Sequence, residues 1–225
     1  MNFEPVSSIE FAAEVAERPR PLLFLDTAAI LDILRVPFRR GLQVDIIKSA
    51  AATIDDVIAD PRRIWIVTSA NVIAEFQDNR DSVRRELAAS VSNLNEDFAR
   101  LSCIAKIVLP ERRIEPLEWL NATFQDRILE IVDRLVAETS VFRGTKECTF
   151  KAALRVKAGL APASRSKQEF KDCEIFEEFL ELARSLLKLG FHSPAGFVTP
   201  NSTDYGQPPN GNERIASELQ AHRVL

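Results

Sequence analysis

The chain has 225 residues, 46% of them hydrophobic and 28% charged, a composition that suits one sizeable soluble core, or at most two small ones, and fits a disordered chain poorly. Twelve Pro and seven Gly are too few for a linker-rich protein, and no apolar run approaches the roughly 20 residues of a spanning helix. The net charge of -4 is mild, but Arg143, Lys146, Lys151, Arg155, Lys157, Arg165, Lys167 and Lys171 face only Glu147 and Glu169 within one segment, a local balance of +6. Such asymmetry points either to a polyanion-facing patch on an acidic body or to a solvated basic helix and loop.

The first residues, Met1 to Arg20, mix polar and acidic side chains without the basic-then-apolar layout of a signal peptide, so a cytoplasmic address is expected. Leu22 to Leu25 form a short apolar run ending at Asp26, the pattern of a buried parallel strand, and Asp26 or Thr27 caps a helix through Ala28 to Leu34. Helical spacing follows from Leu42 to Ala59, with Pro61 just beyond. Ile64 to Val67 repeats the strand pattern, again before a capping pair, Thr68 and Ser69, and the helical stretch Asn71 to Gln77.

The period stays helical from Asp81 to Val108 and from Pro116 to Phe142. Gly159 to Ser166 reads as a loop, and Lys167 to Leu189 as a long helix stopped by Gly190. Phe197 to Thr199 is a third strand, Asn201 to Asn212 is turn-rich, Glu213 to Ala221 is a last helix, and His222 to Leu225 has the length of a fourth strand. Strands alternating with helices predict an α/β fold with a parallel sheet covered on both faces, as one domain over 1–225 carrying a helical insertion at about 79–160.

Chemistry is narrowed by elimination. The two histidines, His192 and His222, have no second ligand at metal-binding spacing, and the odd, scattered Cys103, Cys148 and Cys173 read as reduced packing residues. Nucleophile-elbow, dinucleotide and phosphate-loop signatures are missing. Carboxylates remain. In a parallel sheet, ligands gather at the carboxyl ends of the strands, where Asp26, Glu75, Asn201 and Asp204 follow strands and Asp172 starts the helix that feeds the third. Taken singly these are an N-cap, a solvated helix residue, turn residues and a helix-dipole partner; taken together they offer oxygen ligands to Mg2+ or Mn2+, which accept phosphate as a further partner.

Three segments resemble the PIN domain family of metal-dependent nucleases, in its branch with a long helical insertion: 23–31 (LFLDTAAIL), 66–76 (IVTSANVIAEF), and 171–180 (KDCEIFEEFL) followed by 197–205 (FVTPNSTDY). The resemblance implies an α/β/α sandwich with a short parallel central sheet and an acidic pocket that cuts RNA, or in some members DNA. It places the principal acids on Asp26, Glu75 and Asp172, the fourth position on Asn201 with Asp204 close after it, and a supporting hydroxyl on Thr199, with Thr27 beside the first acid. Asp26, Glu75, Asp172 and Asp204 are then the metal ligands, and Arg155, Arg165, Lys167 and Lys171 the phosphate-backbone contacts. Ala28 and Asn201 depart from the family's polar residues. A toxin with an antitoxin or other protein partner, a defence effector and a housekeeping ribonuclease all fit, as does a homodimer. The rivals are a non-catalytic PIN-like module that holds nucleic acid or protein, and a haloacid dehalogenase-like phosphatase, which wants an acid where Ala28 stands.

Overall fold

A strand covered on both faces has no solvated side on which to alternate, and Leu22–Leu25 is apolar throughout for that reason, as is Trp65–Val67 before Thr68 and Ser69. In the computed structural model, which describes residues 5–109, 111, 115, 117, 119–163, 169–201, 205 and 213–221, the sheet has five strands. These are β1 (Val6–Ser7), β2 (Leu22–Leu25), β3 (Trp65–Ser69), β4 (Ser140–Arg143) and β5 (Ala195–Val198), in the order β1-β4-β3-β2-β5. Every pairing is parallel, with Phe24 of β2 beside Val67 of β3 and Phe197 of β5.

The helices are α1 (Ser8–Glu17), α2 (Thr27–Arg35), α3 (Asp45–Ile58), α4 (Ala70–Val108), α5 (Ala122–Glu138), α6 (Lys146–Ala158), α7 (Phe170–Lys188) and α8 (Glu213–Ala221). Crossovers between parallel strands are right-handed, so connections that run in opposite directions along a sheet lie on opposite faces. Those from β2 to β3 and β3 to β4 carry α2 to α5 on one face. Those from β1 to β2 and β4 to β5 carry α1, α6 and α7 on the other, giving the expected α/β/α sandwich. On the α7 face an aromatic core centres on Phe24, whose ring lies 5.2 Å from Phe179, 5.5 Å from Phe197 and 6.0 Å from Phe142.

Several elements differ from the sequence expectation. Ser140–Arg143 lies within the stretch predicted helical to Phe142, yet it forms β4. Four residues are too few to reveal a period, and Thr139 breaks the helix by turning extended while its hydroxyl donates to Leu135 O. That helix starts at the Asn121 cap, whose side chain accepts from Phe124 N. The two stretches expected at 71–77 and 81–108 are one helix of 39 residues, since nothing between Gln77 and Asp81 interrupts the backbone ladder. Ser7 and Glu10 form a capping box that starts α1, an element the reading above omits. The expected strand at 222–225 lies outside the described residues. Among the described residues no helix is long and apolar enough to cross a membrane.

Candidate acidic site at the sheet switch point

The direction of connection reverses between β2 and β5, and the carboxyl ends of strands at such a switch point are where ligands gather in open parallel sheets. Asp26 sits there. It caps α2 in extended conformation and is only 7% exposed; its Oδ1 accepts from Thr27 N at 2.7 Å and its Oδ2 from the Thr199 hydroxyl at 2.8 Å. Thr27 reaches the next strand's helix, its hydroxyl donating to Glu75 Oε2 at 2.7 Å. Thr199 accepts in turn from Asn201 N at 3.2 Å, and Asn201 O accepts from Tyr205 N at 3.1 Å. The Tyr205 ring packs on Phe176 and Phe197, and its hydroxyl meets the carbonyl oxygen of Asp172 at 3.4 Å. One chain of hydrogen bonds therefore runs from Glu75 through Thr27, Asp26, Thr199, Asn201 and Tyr205 to the first turn of α7.

Burial pushes the Asp26 carboxyl up to about 6, and the charges of Glu75 and Asp32 add to the rise while the Thr199 and Thr27 hydrogen bonds oppose it. Asp32 is buried on α2, where it pairs with Arg35 at 3.2 Å. The sequence reading passed over it, although an acid inside the otherwise apolar run Ala28 to Leu34 was the signal. Asp172 is half-buried at the same end of the sheet. Among the described residues no three acids converge closely enough to form a metal-ligand cluster. Asp204, Arg165 and Lys167 lie outside the described residues.

The basic segment divides. Lys171 is exposed at the start of α7, as are Arg143, Lys146 and Lys157. Arg155 is a correction: expected to hold a phosphate backbone, it is only 6% exposed and its guanidinium is fully engaged. Nε and Nη2 donate to Glu177 Oε1 at 3.0 and 2.6 Å, Nη2 also to Glu218 Oε2 at 2.5 Å, and Nη1 to Ala161 O at 2.6 Å, with the Phe176 ring 4.9 Å away. A helix with four cations and one acid gives no sign in sequence of which cation turns inward.

A second acidic face of α7 meets the starts of α1, α4 and α6, whose positive ends favour carboxylates. Glu181 accepts from Ser8 Oγ at 2.6 Å and Thr145 N at 3.0 Å, and the Thr145 hydroxyl also donates to it. Glu178 Oε1 accepts from Asn71 Nδ2 at 2.9 Å, while its buried Oε2 has no hydrogen-bond partner. Gly144 leaves the room: a Cβ there would lie 2.4 Å from Glu178 Cγ. Burial pushes Glu178 up to about 7, with Glu174 and Glu181 adding and the polar groups of Ser69 and Gly144 opposing.

A carboxyl raised on folding binds its proton more tightly in the native state. Its contribution to stability is thus complete below about 4.5 and lost as pH rises through about 7. Glu178→Gln keeps an acceptor for Asn71 and cannot ionise. Its urea midpoint is expected to match the wild type at pH 4 and exceed it at pH 8, by up to about 3 kcal/mol less the cost of an unpaired amide N–H. A lower midpoint at pH 8 would show that the ionised form is favoured where it sits.

No protein-family model, curated protein or solved structure matches the chain.

Proposed function

We propose that the chain is a nuclease of the PIN-domain kind that uses Mg2+ or Mn2+ to hydrolyse phosphodiester bonds of RNA, with DNA as the alternative substrate. The observation that carries this reading is the hydrogen-bonded chain joining Glu75, Asp26 and Asn201 to the start of α7 at the β2–β5 switch point. A buried carboxyl beside a second acid is costly to ionise, and a hard divalent cation relieves that cost through oxygen donors of this type. Asp26 and Glu75 would hold the ion, with Asp172 and Asp204 completing its ligands. When bound, the ion supplies a water of lowered pKa and charge to offset the phosphoryl oxygens.

The residues of the chain do the positioning. Thr27 fixes Asp26 through its backbone and Glu75 through its hydroxyl, so the two acids cannot turn independently. Thr199 holds the other oxygen of Asp26, and Asn201 and Asp204 would orient the attacking water. Lys171, with Arg165 and Lys167, would anchor the phosphate backbone. A non-catalytic binding module is the second reading, favoured by the lack of three converging acids among the described residues.

Labelled RNA and DNA incubated with Mn2+ separate the two. Metal-dependent cleavage lost in Asp172→Asn supports the enzyme. Binding without cleavage, with a salt slope that Lys171→Ala lowers by about 1, supports the module. Cleavage retained in both Asp26→Asn and Asp172→Asn would remove these acids from the reaction.

A further inference from the structure

Helix α4 is buried against the body of the protein through Val72, Phe76, Val83, Leu87 and Val91, is tied to it once more by Asn95 Nδ2 donating to Leu120 O at 2.8 Å, and runs on to Val108, about 25 Å beyond Val91. Along this extension Leu94, Phe98, Leu101, Ala105 and Val108 alternate at spacings of four and three, the seam of a coiled coil. Leu94, Leu101 and Val108 are 51%, 62% and 67% exposed, and Ile104 widens the stripe on one side. A contiguous apolar strip of this extent on a surface helix marks an interaction site.

We propose that the strip is the seam of an antiparallel homodimer, in which the α4 extension of one copy packs on that of a second. The charges bordering the strip select this occupant. At 100° per residue, Asp97 and Arg100 lie on the same flank of the seam. In an antiparallel pair each flank faces its own copy, so Asp97 meets Arg100 of the second copy, and the two-fold axis makes the contact twice. The register that seats Phe98 on Leu101 of the second copy, and Leu94 on Ala105, leaves each acid and base offset by only about 3 Å along the axis. A parallel pair would set this flank against Asn95 and Ser102, where no charge waits. The proposal is independent of the nuclease reading.

Sedimentation equilibrium of the full chain tests it. A dimer is expected at about 100 μM, weakened at least about 100-fold by Leu101→Glu. Leu101 is solvent-facing, so the far-UV dichroism of that variant should be unchanged. The charge exchange supplies an independent readout: Asp97→Arg should weaken association about 10-fold by placing like charges together, and adding Arg100→Asp should restore it. A monomeric wild type at about 100 μM, or a dimer that neither Leu101→Glu nor Asp97→Arg weakens, would overturn the proposal and leave the strip to a partner of another kind.

Discussion

Asp26→Asn is expected to reduce the proposed metal-dependent RNA cleavage by roughly 100-fold or more while making the metal-free protein more stable at pH 8. The sign follows from burial. The carboxyl is held at about 6, above its ordinary value of 3.8, so the native state binds the proton more tightly than the unfolded chain does. Its stabilising contribution is complete below about 3.8 and lost as pH rises through about 6, a span worth on the order of 3 kcal/mol. Asparagine avoids that loss and remains a good helix cap through the same contact with Thr27 N. Urea midpoints at pH 4 and pH 8, measured with chelator present, should converge at the acid end and separate at the basic end. Mn2+ should then raise the wild-type melting temperature and leave that of Asp26→Asn unmoved. If the residue were only a cap, the variant would match the wild type in activity and gain nothing from Mn2+.

Arg155→Ala should be strongly destabilising, at about 3–5 kcal/mol, because it strands Glu177 in the interior with Arg184 as its remaining cation. It also breaks the bond to Ala161 O and the contact with Glu218, which together tie α6, the turn after it and α8 to α7. For a chain of this length a loss of that size lowers the melting temperature by about 10 °C. A second variant checks the cause. Arg155→Met with Glu177→Gln removes both charges, and it should recover a substantial part of the loss. A phosphate-anchoring role would give the opposite pattern: an unchanged melting temperature and a flatter salt dependence of RNA binding.

The contrast between these two residues shows how far the sequence can be read. Asp26 was legible because a short apolar run closing on an acid has few meanings in a parallel sheet, and the following cap fixes its place at the strand's carboxyl end. Thr199 and Asn201 became legible once a third strand was placed. Arg155 was not, since its neighbours Lys151 and Lys157 carry the same charge, and only tertiary packing turns one of the three against Phe176 and Glu177. Strand β4 was hidden for a similar reason: Ser140 to Arg143 gains its identity from pairing with β3 and β1, not from its own pattern. The acidic face of α7 was equally obscure, because Glu174, Glu178 and Glu181 are ordinary helix residues until the ends of three other helices meet them.

The order of the sheet also sets an order of events during synthesis. Strands β2 and β3 are neighbours in both sequence and space, so they can pair as soon as Ser69 has emerged. Val6 and Ser7 cannot do so: their partners are Phe142 and Arg143, and this strand must wait, unpaired, until the chain has been made as far as Arg143. Its two-residue length limits the sticky edge held out during that delay, and the capping box lets the helix behind it begin winding without the sheet.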